Sequence, residues 1–368
     1  MRILRTAAIA AAATSVLALA ACAADDEAPD PTDEATTASS PATGATDGAT
    51  AGEAAGTVTV VTHDSFFVDD ALLADLEAES GLTVEFVAPG DAGILVNQLV
   101  LTKDAPLGDV VYGVDNTFAT RATEAGVFAA YSPTASAAGD AAAYAIPGAE
   151  DLLTAVDFSD VCLNYDLAAF PDGAPALADL TDPAFAGQVS VTNPATSSPG
   201  LAFMLATVAE FGEDGWAGWW EDMRANDVRV TASWSDTYYT DFSAPNYGGD
   251  YPIVLSYASS PPYEVADGEP ATAAMLDTCF RQVEYAGVLE GAANPEGAQA
   301  VVEWMLSDAF QAALPENMYV YPVSSSVEVP AEWAEFAPLA DDPATLDPAT
   351  IDAHRDAWID AWTAAVLD

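Results

Sequence analysis

Basic residues are what this chain has least of. Against 58 Asp and Glu it carries 8 Lys and Arg, with Lys103 the only lysine, for a formal net charge of −50 over 368 residues. Setting aside Arg2 and Arg5 at the amino terminus leaves 8 − 2 = 6 basic residues for the rest of the chain. That balance argues against nucleic acid as a partner, because phosphates demand a basic footprint. The acidic residues are spread along the whole chain, which describes a solvated surface suited to salt more than a field that steers a cationic ligand. Histidine is nearly as scarce: His63 and His354 are the only two, and with no Cys-x-x-Cys pair a zinc site is not expected. No Gly-x-Ser-x-Gly elbow and no Gly-Lys-Ser/Thr phosphate loop occurs, so a hydrolase of the first kind and an ATPase within the chain are both disfavoured.

Long apolar runs are absent too. Arg2 and Arg5 precede the run from Ala7 to Ala21, which is shorter than the roughly 20 residues a membrane span needs and reads as a secretory signal over 1–21. Its ending, Leu19-Ala20-Ala21-Cys22, resembles a bacterial lipobox, which implies cleavage before Cys22 and acylation of that residue into a lipid anchor. The alternative is an ordinary signal peptide whose cleavage site contains a cysteine. Residues 22–56 have no aromatic, Leu, Ile or Val; such a segment cannot offset its ordering entropy and is expected to be a disordered acidic leash. Of the 3 cysteines, Cys162 and Cys279 remain for the body. In an exported protein they suggest a disulfide, with two buried free thiols as the alternative.

The body, 57–368, is about twice the length of an ordinary domain, which favours two lobes. TVTVVTHDSF starts as a strand, VDDALLADLEAESG has helical spacing and a Gly stop, and LTVEFVAPGD is the next strand and turn. The helix ILVNQLVLTK, the strand GDVVYGVDN and the helix TFATRATEAGVF follow. QVSVTNPATSSPG, running into LAFMLATVAEFG, repeats the pattern, and VRVTASWSDTYYTDF and YPIVLSYASSPPYEV end strands in aromatics and hydroxyls. Late in the chain come the strand QVEYAGVL, a single long helix over PEGAQAVVEWMLSDAFQAAL, and NMYVYPV. Strands alternating with helices predict an α/β fold with a mostly parallel sheet, whose ligands sit at the carboxyl ends of strands. His63-Asp64, Asp91 and Asp115-Asn116 fall at such ends. Ser197 or Ser198 at the next helix start either caps it or receives an anionic group.

The order THDSF, PGD, GVDN, NPATSSPGL, SWSDTYY, LSYASSPPY, QVEYAGVL and YVYPV resembles the thiamine-binding components of bacterial ABC importers, within the type II periplasmic binding-protein fold. The resemblance spans nearly all of 57–368 and rests on joint order, since no one motif is decisive. It implies a two-lobed α/β fold with mixed, mostly parallel sheets and a hinge of two crossing strands. The implied lobes are 57–160 with 282–368, and 161–281, with the ligand enclosed between them. It also implies a monomeric capture protein without a cofactor, held outside the cell membrane by its lipid and delivering thiamine or its phosphates to a permease whose ATPase is a separate subunit.

Thiamine joins a flat aminopyrimidine, a cationic thiazolium and a hydroxyethyl tail. Aromatic faces attract cations by about 0.5–2 kcal/mol each, and the resemblance assigns that grip to Trp234, Tyr257 and Tyr263, beside Ser260. Asp64, Asp91 and Asp115 are the candidates for balancing charge, although each is equally suited to capping a helix; Asn116 stands with them. Ser197 and Ser198 are assigned the tail or its phosphate. His63 departs from the Tyr that relatives often carry. Two other readings remain open: ferric iron held by the consecutive Tyr238 and Tyr239, and an enzyme using a carboxylate pair.

Overall fold

The computed structural model describes residues 56–368; the signal peptide over 1–21, Cys22 and the leash over 22–55 lie outside the described residues. Gly56, read from sequence as the last leash residue, opens the first strand, β1 (Gly56–Val61), where Val58 and Val60 turn into the core. Asp69 accepts from the Ala71 amide to start α1 (Asp70–Ser80), and Gly81 ends it with a left-handed φ of 72°. β2 (Leu82–Val87), α2 (Ala92–Leu101) and β3 (Val110–Asp115) follow, with β1 parallel to both β2 and β3. Two short helices, α3 (Ala119–Glu124) and α4 (Ala138–Ala141), lead to the long strand β4 (Thr154–Asp166).

The second block is built alike. β5 (Val189–Thr192), α5 (Ser198–Phe211), α6 (Trp216–Ala225), β6 (Arg229–Thr231), the single turn α7 (Trp234–Asp236) and β7 (Ile253–Tyr257) give a sheet in which β5 is parallel to β6 and β7. A small hairpin, β8 (Val265–Ala266) with β9 (Glu269–Pro270), and β10 (Thr272–Ala274) precede β11 (Phe280–Val288). The chain closes with α8 (Pro295–Met305), α9 (Asp308–Asn317), β12 (Tyr321–Pro322), α10 (Trp333–Phe336) and α11 (Pro348–Val366). Among the described residues no helix is long and apolar enough to cross a membrane.

The sheet runs β2-β1-β3-β11-β4-β7-β5-β6, with β10 and β12 also on β4. The parallel arrangement expected from the alternating pattern holds in the two outer blocks. The ladders that join them, β3–β11, β11–β4 and β4–β7, are antiparallel. β4 changes partner along its length: Thr154–Val161 lie against β11 and Val161–Tyr165 against β7, so β4 and β11 are the strands that pass between the blocks. Cys162 and Cys279 form a disulfide at this point, beside the Val161–Phe280 pair, with Cα atoms 4.3 Å apart.

The single helix expected over 295–314 is two. Ser307 is extended, and its Oγ accepts from the Phe310 amide to start α9 afresh. Likewise VRVTASWSDTYYTDF leaves the sheet at Thr231, because Ser233 accepts from the Asp236 amide and opens α7. Large aromatic side chains fill the core: Trp220 meets Phe203 at 5.7 Å and Trp362 at 5.5 Å, which seats α11 on α6.

Candidate functional site

A cavity of about 390 Å³ opens at the carboxyl ends of β1, β6 and β7 and at the starts of α2 and α5. One side is an aromatic wall from the second block. Because Ser233 caps α7, the Trp234 ring is set against Tyr238, stacked at 5.1 Å with the planes 16° apart, and edge-on to Tyr239 at 5.3 Å and Tyr257 at 6.1 Å. Trp234 Nε1 donates to Ser256 Oγ at 3.0 Å, and Ser256 Oγ shares a 2.7 Å bond with Ser260 Oγ, which also accepts from the Tyr257 amide. Tyr263, half-exposed, meets Tyr319 edge-on at 5.0 Å.

Beneath the other side runs a row of buried carboxylates set by strand register, a floor of which Glu284 alone reaches the cavity lining. Glu284 of β11 lies opposite Asp115 of β3 on one edge and Asp157 of β4 on the other. Directly opposed residues in a ladder share a face of the sheet. All three are buried. Tyr112 donates its hydroxyl to Asp157 Oδ2 at 2.6 Å and approaches Glu284 Oε2 at 3.4 Å. His63 lies above, with Nε2 3.3 Å from Glu284 Oε1. Its ring fits only because residue 113 is glycine. At φ 95° a side chain there is strained, and a Cβ would lie 2.2 Å from His63 Cδ2.

These environments shift the acids in one direction. Burial raises Asp157 well above the usual carboxylate range, and the charge of Glu284 adds to it. Burial also lifts Asp115 to about 6, against the bonds it accepts from Ser198 and Thr117, and raises Asp91 despite the Trp234 amide. For His63, burial favours the neutral ring while Glu284, Asp91 and Asp64 pull harder the other way, for a net rise. Geometry opposes that rise: the Ser65 amide donates to Nδ1 at 3.2 Å, so the proton of a neutral ring sits on Nε2 and faces Glu284. We take the neutral ring as the resting form, since a second proton on Nδ1 would break that bond.

The structure brings seven of the sequence-derived residues to the cavity: His63, Asp91, Ser198, Trp234, Tyr257, Ser260 and Tyr263. Asp91 is also a tie between the blocks, accepting from the Ala92 amide at 2.6 Å, the Ser198 amide at 3.3 Å and the Trp234 amide at 2.9 Å. Four residues do not line the cavity. Asp64 is exposed and accepts only from Ser65 Oγ. Asp115 is sealed beneath it, accepting from Thr117, the Phe118 amide and Ser198 Oγ. Asn116 is spent between β3 and β11, bonded to the Val283 amide and the Arg281 carbonyl. Ser197 caps α5 through the Gly200 amide. Ser65, which follows His63 and Asp64 at the same strand end, also lines the cavity, and sequence reasoning missed Phe67, Gln282, Glu284 and the run Glu316 to Val320, which line it too. An isolated Glu inside the apolar strand QVEYAGVL was the available signal for Glu284.

Iron capture by Tyr238 and Tyr239 fits poorly. Tyr238 is buried with its hydroxyl turned to Glu264 at 3.4 Å, and burial raises both phenols, Tyr239 to about 12, where a metal-binding phenolate needs the opposite.

Residues 105–343 match the family described as bacterial extracellular solute-binding protein. The thiamine-binding periplasmic protein of Escherichia coli is 30% identical, covering 84% of this chain and 93% of its own. A solved periplasmic thiamin-binding protein is 28% identical with a TM-score of 0.75, covering 85% of this chain and 96% of that one. Iron-bound HitA from Pseudomonas aeruginosa, at 20% identity and a TM-score of 0.65, shares the fold. The chain therefore belongs to the family of bacterial extracellular solute-binding proteins, two-lobed ligand carriers rather than enzymes.

Proposed function

We propose that this protein captures thiamine outside the cell membrane and delivers it to an ABC importer. The observation that carries the reading is the pairing of a stacked aromatic wall with the buried carboxylates Asp91 and Glu284 in one cavity that has no Lys or Arg in its lining. Such a site suits a flat cation: faces attract the ring charge, and buried carboxylates supply a counter-ion where water is scarce. Relatives named as thiamine-binding support the same ligand.

The lobes we assign are 57–160 with 282–368, and 161–281, turning about β4 and β11. Closure carries Trp234 and Tyr263 toward His63 and Glu284, and the closed, monomeric form docks on a permease served by a separate ATPase. The phosphate esters are weaker ligands in this account. The Ser198 and Gly200 amides at the start of α5 already have acceptors, and the floor repels anions. Acylation at Cys22 and the leash keep the body near the membrane; Cys22→Ser is expected to move the protein from the membrane fraction to the medium.

The test is a titration with thiamine followed by tryptophan fluorescence, with thiamine diphosphate and ferric ion alongside. Saturable one-to-one binding of thiamine, tighter than of its diphosphate, is expected. Ferric binding with tyrosinate colour and no response to thiamine would overturn the reading.

A further inference from the structure

Three carboxylates in one row of a sheet form an arrangement that the uncharged cavity residues do not balance. Asp115, Glu284 and Asp157 sit side by side on β3, β11 and β4, all buried, with no Lys or Arg lining the cavity above them. Asp115 has its own donors in Thr117, Ser198 and the Phe118 amide. Asp157 has only Tyr112 on Oδ2, and its Oδ1 finds no ordinary donor. That oxygen belongs to the carboxyl group that faces Glu284. Glu284 and Asp157 are directly opposed across the ladder, where Cβ atoms lie about 4.5–5.5 Å apart; two carboxylates so placed do not both ionise in a buried site, and one proton is held between them.

We propose that this shared Asp157–Glu284 proton stands in for the ligand's charge, and that binding of the cation expels it, one positive charge entering as one leaves. The inference rests on the capture of thiamine proposed above. In the free protein the pair carries one negative charge. With the cation over Glu284 both carboxylates ionise, the proton passes to solvent, and the net charge of the site is unchanged. The other groups facing the pair fit this exchange. Tyr112 from β3 and Tyr257 from β7 have phenols that burial raises, so they remain neutral donors. His63, from the loop after β1, stands with Nε2 3.3 Å from Glu284 Oε1 without a formed hydrogen bond, while Nδ1 accepts from Ser65. Asp91, at the start of α2, is committed to three amides. The remaining acids around the site are Asp115, the exposed Asp64, and the exposed Glu316 of the cavity lining.

The exchange makes cation capture stronger as pH rises. Where the proton is fully held, each pH unit gives up to about a tenfold gain in affinity, and the gain levels off where the pair is already ionised. A neutral ligand leaves the proton in place and gains nothing from the exchange, so its affinity does not rise with pH.

The experiment is calorimetry of the full chain with thiamine at pH 7 in phosphate and in Tris, whose ionisation heats differ, repeated with Asp157→Asn. The amide of Asp157→Asn can still donate to Glu284 but carries no proton that titrates near pH 7. The expected result is release of roughly one proton per thiamine by the unaltered protein, and binding without release by the variant. Binding whose heat is independent of buffer in the unaltered protein would overturn the exchange while leaving thiamine capture intact. Release that persists in Asp157→Asn would overturn the assignment of the proton to this pair. No heat with thiamine in either buffer would remove the capture reading and the exchange together. Should Asp157→Asn fail to fold, Glu284→Gln, which also leaves no carboxyl pair to share a proton, is read in its place at higher thiamine concentration, and release that persists there overturns the assignment.

Discussion

The wall and the floor of the cavity are made by different means. The wall comes from contiguous stretches of chain: Trp234, Tyr238 and Tyr239 lie within two adjoining helical turns, and Tyr257, Ser260 and Tyr263 on the exit of one strand. The floor comes from three strands that are far apart in sequence and meet only through register. Local chemistry builds the first, and a one-residue slip in pairing would turn the second away from the cavity. The wall offers faces that tolerate small displacements, while the floor offers charge that must lie in one row. The floor should therefore be the more fragile half, and the more decisive for charge.

The largest effect is expected where the floor's strands are fastened. Replacing both Cys162 and Cys279 with Ala removes a link across 117 residues and should lower stability by about 3–5 kcal/mol, read from a urea midpoint. An unchanged midpoint would mean that register holds without the staple. Next comes the floor itself: Glu284→Gln removes the counter-ion and should weaken thiamine binding by about 2 kcal/mol, roughly 30-fold. On the wall, Trp234→Ala should cost about 1.4 kcal/mol, tenfold, with Trp234→Phe costing less because a ring face remains. Were the two single-site losses reversed in size, the wall would be the decisive half.

A smaller effect separates Asp115 from the rest of the floor. Its carboxyl is raised in the folded protein from 3.8 to about 6, so the protonated form favours folding. That contribution is complete below the unfolded value and is lost as pH rises through about 6. The ligand-free protein should lose about 1 kcal/mol from this group between pH 5 and 7, and Asp115→Asn should flatten that part of a thermal-unfolding profile. The smallest change is expected for Tyr263→Phe, where a half-exposed ring keeps its face; a shift in affinity within about 0.5 kcal/mol should be seen by the same titration.

How much of this was legible follows the same division. The α/β alternation could be read because it is written in adjoining residues, the cysteine pair because the exported body holds only two, and the wall residues Trp234, Tyr257 and Tyr263 through the family resemblance that singles out their aromatic, hydroxyl-rich segments. Asp91 was found as a strand-end carboxylate, and its bonds to Trp234 and Ser198 show why that position needs an acid. Asp115 and Asn116 were sought in the cavity because they end a strand, yet β11 takes up the amide of Asn116, while Thr117, the Phe118 amide and Ser198 take up the carboxylate of Asp115. Glu284 went unseen because its partners, Asp115 and Asp157, are set by two antiparallel ladders that no local pattern announces. The break between α8 and α9 was hidden in the same way, by one serine acting as a cap inside an otherwise helical run.

The most direct test of the account is a calorimetric comparison of thiamine with a neutral aromatic of the same outline. The account predicts saturable one-to-one binding of thiamine and at least tenfold weaker binding of the neutral compound. Equal affinity for both would contradict it, since the carboxylate floor would then contribute nothing to recognition.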